Sequence, residues 1–284
     1  MYLALIQEKG ETRLAAKVGQ RVVLLDRSDL PADPLAILLN ADLRARAAKA
    51  ADGAREVDAE ALSFRLPLAE LGKIICVGLN YADHAAESPY EKPKHPVYFL
   101  RVGTSLIPHG APIVRPRVSD QLDFEGEMVA VIGKAGRAIP VERALEHVAA
   151  YSIFNDASIR DYQFKGPQWT LGKNFDATGA FGPWLVSTDE VPAGATGLRI
   201  QTRLNGQVVQ DANTDDLIFP VAELVARASE AMTLNPGDVI VTGTPSGVGF
   251  ARKPPLFMKD GDVCEVEVNG LGVLRNPVQD EVRS

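Results

Sequence analysis

Short apolar runs separated by turns dominate the chain after about residue 70. They are rich in β-branched residues and bounded by Gly, Pro, Asn or Asp, a pattern typical of short strands: APIVRP, EMVAVIG, LRIQTRLNGQVVQDAN, DVIVTGTP and DVCEVEVNGLGVLRNPV. The pairs Asn205-Gly206 and Asn269-Gly270 each lie between apolar runs and predict tight hairpins. Because the strands do not alternate regularly with helices, the pattern favours a mostly antiparallel sheet.

Two helices are predicted among these strands, each with a proline in its first turn. One follows Pro140 and covers 141–151 in PVERALEHVAAY. The other follows Pro220 in FPVAELVARASEAM and ends at the turn NPGD.

Residues 1–70 have a different pattern and predict a small N-terminal α+β domain, followed by the main domain at 71–284. The runs YLALIQ and QRVVLL predict strands joined by the charged turn EKGET. The Ala- and Leu-rich stretch ADPLAILLNADLRARAAKAADGAREV predicts a helix in two pieces. The predicted fold class is therefore α+β, mostly β.

Charge and composition narrow the class of protein. The chain has 284 residues and a formal net charge of −7, which argues against nucleic acid as a partner. No run approaches the ~18 apolar residues of a membrane span, and the start lacks the basic region of a secretory signal. Cys76 and Cys264 are far apart and flanked by apolar residues, as buried reduced thiols are. We expect a cytoplasmic protein that does not bind membranes.

The stretch QLDFEGEMVAVIG places two carboxylates in a strand that is otherwise apolar. Side chains alternate along a strand, so Glu125 and Glu127 share one face with Val129 and Val131. A strand that is apolar on both faces is usually buried, and two buried like charges require protonation or a cation between them. The pattern also fits an exposed strand end where both glutamates face water.

A third acidic residue, Asp156, ends the apolar run YSIFND. Placed at the end of a buried strand beside the glutamate pair, it would complete a site of three carboxylates. Hard oxygen ligands without His or Cys suit Mg²⁺ or Mn²⁺. Asp156 could equally cap the following turn.

Other stretches carry groups that could take part in a reaction. In LNYADHAAES, His84 and Glu87 are spaced as neighbours on a helical turn, and a carboxylate beside an imidazole raises its basicity. The alternative is a histidine at a helix start beside a solvated glutamate. Lys173, in a Gly-rich apolar setting, could stabilise enolate or carboxylate charge, or be an ordinary loop lysine. The turn TGTPSGVG lacks the ending of a phosphate loop but could donate N–H groups to an anion.

Six of these motifs together resemble the fumarylacetoacetate hydrolase superfamily. In order they are VGLNYADHAAE, DFEGEMVAVIG, FNDASIRDYQ, WTLGKNFDATGAFGP, LNGQVVQ and PGDVIVTGTPSGVG, which cover roughly residues 70–280. The resemblance implies a mixed β-roll, often behind a small N-terminal domain, and a homodimer.

The resemblance also implies the site residues. The divalent metal, Mg²⁺ or Mn²⁺, would be held by Glu125, Glu127 and Asp156. His84 and Glu87 would form the pair that orients the attacking water, and Lys173 would be the motif lysine. The implied substrate contacts are Arg160, Gln163, Thr244 and Tyr81. In the founding enzyme an aspartate near the position of Asp83 is a further metal ligand.

The implied substrate is a 2-oxo acid, and the favoured hypothesis is an acylpyruvate whose C3–C4 bond is hydrolysed to pyruvate and a carboxylic acid. A sugar-acid-derived 2,4-dioxo acid is one such substrate. In this hypothesis His84 takes a proton from water, and the metal and Lys173 stabilise the enolate of pyruvate. The same enolate would serve oxaloacetate decarboxylation or the isomerisation of a dienol diacid. A homologue that binds metal without turnover is the non-enzymatic alternative.

Overall fold

Nineteen β-strands and five α-helices lie within residues 1–25, 29–83 and 93–282, which the computed structural model describes. The strands are β1 Tyr2–Glu8, β2 Glu11–Val18, β3 Arg21–Leu24, β4 Glu56–Val57, β5 Ser63–Phe64, β6 Ile74–Gly78, β7 Val97–Arg101, β8 Leu106–Pro108, β9 Ile113–Arg115, β10 Leu122–Asp123, β11 Gly126–Ile132, β12 Val148–Asp156, β13 Ser158–Ile159, β14 Gly179–Ser187, β15 Arg199–Leu204, β16 Gln207–Asn213, β17 Val239–Val241, β18 Val263–Val268 and β19 Gly272–Asp280. The α-helices are α1 Pro34–Leu39, α2 Ala41–Ala51, α3 Arg160–Gln163, α4 Thr170–Lys173 and α5 Val221–Ala231. Short 3₁₀ turns cover Ala59–Ala61, Gly103–Ser105, Val141–His147, Thr188–Glu190, Ala193–Ala195, Thr214–Asp216 and Gly249–Ala251.

A twelve-stranded sheet organises these elements. Its order is β4-β3-β2-β1-β14-β12-β11-β17-β6-β7, with β5 on β1 and β8 on β14. A five-stranded sheet, β16-β15-β18-β19-β9, and the pair β10-β13 complete the strands. Three of these pairings are parallel, namely β8 with β14, β6 with β17 and β9 with β19, and the others are antiparallel. The predicted mostly antiparallel, mostly β architecture is confirmed.

The centre of the large sheet is buried on both faces. Every residue of β11 and β14 is buried. Along β11, Met128 and Ala130 belong to one apolar cluster, whereas Val129 and Val131 belong to a second cluster across the sheet. The two-sided burial predicted for this strand is therefore confirmed, and polar groups at its end lie away from bulk water.

The N-terminal strands extend the same large sheet. β1 pairs with β14 in the register Tyr2 opposite Val186. The prediction of a single turn between YLALIQ and QRVVLL was wrong, because β2 lies between them and pairs with both β1 and β3. The two-piece helix was confirmed as α1 and α2. The domain boundary at residue 70 stays a prediction.

The helix predicted over 141–151 was also wrong in its second half. Val141–His147 forms a 3₁₀ helix, and β12 begins at Val148. β12 pairs with β11 on one side and β14 on the other, so the backbone pairing of VAAYSIF outweighs the helix propensity of its alanines. The helix after Pro220 and both Asn-Gly hairpins are present as predicted.

Two further predictions concern single residues and membrane association. Cys76 and Cys264 are buried free thiols, as predicted. Among the helices of the described residues, none combines the length and the apolar character that crossing a bilayer requires.

Candidate active site

Three carboxylates meet where β11 begins and β12 ends. The two strands are antiparallel with Gly126 opposite Asn155, so Glu125 and Glu127 come beside Asp156. One carboxylate oxygen from each of the three lies within 4.8 Å of the others, and all three residues are buried. The structure therefore brings together the three residues that the sequence analysis grouped, and it excludes the water-exposed alternative.

Buried cations surround two of these carboxylates. The Lys173 Nζ lies 2.6 Å from Glu125 Oε2 and 2.6 Å from Asp156 Oδ2. Arg101 Nη1 lies 2.5 Å from the other oxygen of Asp156, and Arg160 Nη2 lies 2.6 Å from Glu125 Oε1. Burial alone would lower the pKa of Lys173, but the charges of Asp156 and Glu125 outweigh it and raise that pKa. Lys173 is therefore held as a cation inside the protein.

Glu127 has a different environment from the other two carboxylates. Among the described residues no Lys or Arg forms an ion pair with it, and Gly243 N donates a hydrogen bond of 2.5 Å to its Oε2. Burial, reinforced by the charges of Asp156 and Glu125, raises the pKa of Glu127 well above its usual range. A divalent cation would relieve this cost, and three hard oxygen donors suit such an ion. The donor set supports a divalent metal held by Glu125, Glu127 and Asp156.

Arg160 begins α3 and is fixed by three side chains. Its Nε donates to Asp123 Oδ2 at 2.8 Å and its Nη1 to Gln163 Oε1 at 2.8 Å, in addition to the contact with Glu125. Burial raises the pKa of Asp123, and the adjacent Arg160 charge opposes this rise. Arg160 and Gln163, both predicted as substrate contacts, thus lie beside the acidic cluster.

A single cavity connects these groups. Its lining includes polar side chains from the predicted site and an apolar wall, namely Glu125, Glu127, Arg160, Gln163, Lys173 and Thr244 with Val77, Leu79, Phe99, Phe164, Trp169 and Phe250. A small anionic molecule in the cavity would therefore contact both buried cations and aromatic rings.

The hydroxyl of Thr244 is engaged by the protein. It donates to Gly126 O at 3.0 Å and accepts from Gln210 Nε2 at 2.9 Å, while Gln210 Oε1 accepts from Gly126 N at 3.0 Å. These bonds tie the backbone between the two glutamates to the turn that follows β17. Thr244 lines the cavity, and its predicted contact with substrate stays a prediction.

The sequence analysis also named Tyr81, Asp83, His84 and Glu87. Tyr81 is buried, its hydroxyl has no hydrogen-bond partner among the described residues, and burial with the nearby charge of Glu127 raises its pKa. Tyr81 is not among the residues that line the cavity. Asp83 is exposed and outside the carboxylate cluster. His84 and Glu87 lie outside the described residues.

Sequence reasoning missed three buried residues around the site: Arg101, Asp123 and Gln210. Arg101 contacts Asp156, Asp123 contacts Arg160, and Gln210 contacts Thr244. A signal was available for each, because a charged or amide side chain stood within an apolar strand pattern or a quoted motif. Such a side chain inside a sheet requires a partner.

Comparisons with known proteins agree with this geometry. The model of the fumarylacetoacetate (FAA) hydrolase C-terminal family matches residues 73–279. A mitochondrial oxaloacetate tautomerase of Xenopus laevis is 44% identical over 219 residues, which is 76% of this chain and 68% of that protein.

Solved structures are similar over most of the chain. A fumarylacetoacetate hydrolase from Exiguobacterium antarcticum is 33% identical with a TM-score of 0.86, covering 99% of this chain and 100% of its own. A fumarylpyruvate hydrolase from Pseudomonas aeruginosa, solved with Mn²⁺ and pyruvate, is 32% identical with a TM-score of 0.69, covering 76% and 91% respectively.

Proposed function

Because the chain belongs to the fumarylacetoacetate hydrolase family, we propose that it is a divalent-metal-dependent tautomerase that interconverts the enol and keto forms of oxaloacetate or a similar 2-oxo acid. The observation that carries the proposal is the position of Lys173, whose buried ammonium contacts Glu125 and Asp156 at 2.6 Å each. A fixed cation beside a carboxylate cluster is suited to a substrate that develops negative charge on oxygen.

Tautomerisation needs one proton removed from the enol oxygen and one added to C3. Between these steps the substrate carries enolate charge. Lys173, kept protonated by its two carboxylate neighbours, would stabilise that charge or donate a hydrogen bond to it. Arg160, fixed by Asp123 and Gln163, would orient a substrate carboxylate.

The metal would be held by Glu125, Glu127 and Asp156 and, when bound, would supply Lewis-acid polarisation of a substrate oxygen. Either Mg²⁺ or Mn²⁺ suits these ligands. The apolar wall of the cavity would keep water away from the enolate and strengthen the electrostatic contacts within the cavity.

The relatives support tautomerisation ahead of the hydrolysis expected from the sequence. A protein 44% identical to this chain is named an oxaloacetate tautomerase. Proton transfer between the enol oxygen and C3 also needs no attacking water, so it does not depend on the water-activating role expected of His84 and Glu87.

Hydrolysis of the C3–C4 bond of an acylpyruvate remains the second candidate. The motif DHAAE supplies His84 and Glu87, the pair that would activate water, and the similar fumarylpyruvate hydrolase was solved with Mn²⁺ and pyruvate. His84→Ala would abolish such hydrolysis while sparing a tautomerisation that needs no attacking water.

The deciding experiment follows the enol absorbance of freshly dissolved oxaloacetate with enzyme and Mn²⁺, with enzyme and EDTA, and with Mn²⁺ alone. A parallel assay measures pyruvate released from oxaloacetate and from acetylpyruvate. Metal-dependent enzymatic loss of the enol without pyruvate release supports the tautomerase. Pyruvate formed from acetylpyruvate, with no acceleration of enol loss, contradicts the tautomerase and supports the hydrolase.

A further inference from the structure

Asp123 is a buried carboxylate two residues before the first glutamate of the cluster. Its Oδ2 accepts from Arg160 Nε at 2.8 Å and from Phe250 N at 3.0 Å. Its Oδ1 accepts from Gly249 N at 2.7 Å and from Phe124 N at 2.8 Å. Both carboxylate oxygens are thus saturated by donors from three separate segments of the chain.

The two groups held by Oδ2 form one wall of the cavity. Arg160 and Phe250 both line it, and the Arg160 guanidinium carbon lies 4.4 Å from the centre of the Phe250 ring. The Phe250 ring also packs against Phe164, another lining residue, with centroids 5.7 Å apart. One oxygen atom therefore holds both the Arg160 guanidinium and the backbone of Phe250, whose ring packs against that guanidinium.

The backbone at Gly249 packs closely against Asp123. A methyl group at Gly249 would lie 2.5 Å from Asp123 Oδ1 and 1.8 Å from Leu256 O. The turn carrying Phe250 can approach the carboxylate this closely only because residue 249 has no side chain.

We propose that Asp123 is a positioning residue that sets the substrate-facing wall of the cavity by holding Arg160 and Phe250 together. It acts through these two residues and is not one of the three carboxylates assigned to the metal. The expected effect on KM rests on the proposed function. The test therefore also includes a binding measurement that does not require turnover.

Asp123→Asn is the informative substitution because it preserves shape. Whichever way the amide is oriented, an NH₂ group replaces one acceptor oxygen and faces two N–H donors. We expect the KM for enol oxaloacetate to rise roughly tenfold, the loss of a charge-assisted contact, with a smaller effect on kcat. Mn²⁺ affinity should show no comparable loss.

Asp238 provides a matched control. It is also a buried aspartate, and it accepts from Lys73 N and Asn235 N at 2.7 Å each and pairs with Lys73 Nζ at 2.6 Å. It does not line the cavity. Asp238→Asn should lower the melting temperature without changing KM. An equal rise of KM in both variants would overturn the proposal, because it would show a general effect of instability.

A double variant at Asp123 and Arg160 tests whether Asp123 acts by positioning Arg160 or only by stabilising the fold. If Asp123 acts through Arg160, then Asp123→Asn should add little to the KM of Arg160→Gln. Independent, multiplying effects in the double variant would contradict the proposal. If Asp123→Asn fails to fold, Asp123→Glu retains the charge while displacing it, and we expect the same rise of KM.

Oxalate, a planar dianion similar to the enolate of pyruvate, distinguishes the two proposals. Its binding to the Mn²⁺-loaded protein is measured by calorimetry for the wild type, Asp123→Asn and Asp238→Asn. Absence of tautomerase activity in the wild type would reject the proposed function alone. Roughly tenfold weaker oxalate binding in Asp123→Asn only would support the role of Asp123, and unchanged binding would overturn it.

Discussion

Lys173 and Asp156 form a buried ion pair, with Nζ 2.6 Å from Oδ2 and both side chains almost without solvent contact. Asp156 is the last residue of the central strand β12, and Lys173 is the last residue of the short helix α4. Removing one charge of such a pair leaves its buried partner uncompensated. Substitution of Lys173 or Asp156 should therefore lower the stability of the protein as well as affect the proposed reaction.

Lys173→Met should lower the enol–keto conversion rate by roughly 10²–10³-fold, the usual loss when one group stabilising an oxyanion is removed. The measurement is kcat for enol loss at saturating Mn²⁺. Lys73→Met is the control, because Lys73 also pairs with a buried aspartate, Asp238, at 2.6 Å but lies outside the cavity. Similar losses in both variants would argue against a role for Lys173 in the reaction.

Arg101→Lys should weaken Mn²⁺ binding by roughly 10–100-fold, since side chains that orient a metal ligand typically have effects of this size. Arg101 contacts Asp156 and donates to Ala157 O, Ser105 Oγ and Thr178 Oγ1. A lysine lacks the planar fork that makes these bonds together. Mn²⁺ titration measures the effect, and wild-type affinity in the variant would contradict it.

Gly126→Ala should destabilise the protein by about 1–3 kcal/mol, the usual range for overpacking. A methyl group there would lie 2.1 Å from Thr202 Oγ1 and 3.0 Å from Val266 Cγ1. The Thr202 hydroxyl has no hydrogen-bond partner among the described residues, so its removal sacrifices no bond. In denaturant unfolding, Gly126→Ala with Thr202→Ala should be more stable than the sum of the single effects predicts. Strict additivity would show that the contact is not the cause.

The buried side chain of His109 should make the folded protein less stable in acid. Burial, with the nearby Arg275 charge, lowers its pKa to about 4, and its Nδ1 accepts from Arg275 N at 3.1 Å. The pKa of His109 in the folded protein lies below the ordinary value of about 6.5. Between these two pKa values the unfolded chain therefore binds more protons than the folded protein. The stability due to neutral His109 is present above pH 6.5 and is lost as the pH falls through about 4.

His109→Asn keeps an acceptor for Arg275 N but cannot titrate. The free energy of unfolding of this variant should fall less steeply than that of the wild type between pH 6.5 and 4, by up to about 3 kcal/mol across the interval. Parallel stability curves for the two proteins would contradict the assignment. Denaturant unfolding at several pH values makes the comparison.

The sequence predicted the strand that carries the glutamates because an uninterrupted apolar run needs no knowledge of its neighbours. It also predicted the grouping of Glu125, Glu127 and Asp156, which the structure brings within 4.8 Å. It could not show that Lys173 spans two of them, because that contact depends on how α4 packs against the sheet. Local pattern fixes the chemistry available, and tertiary packing fixes the partners.

Errors arose where local preference and tertiary pairing disagree. The alanines after Val148 favour a helix locally, but the neighbouring strands on both sides impose a strand. Arg101 ends the apolar run VYFLR, which marks it as a charge needing a partner, but only the folded structure shows that this partner is Asp156. The roles of His84 and Glu87, the homodimer and the cytoplasmic location stay predictions.

The most direct test of the central claim is hydrogen exchange at C3 of oxaloacetate in D₂O, followed by proton NMR. Enzymatic enolisation passes the C3 protons to solvent whatever product follows. We expect exchange that is accelerated by enzyme with Mn²⁺, removed by EDTA and lost in Glu127→Gln, which keeps the size of a proposed metal ligand but removes its charge. Exchange no faster than with Mn²⁺ alone, or equally fast in Glu127→Gln, would contradict the proposal that the carboxylate cluster and Lys173 form an enolate-stabilising site.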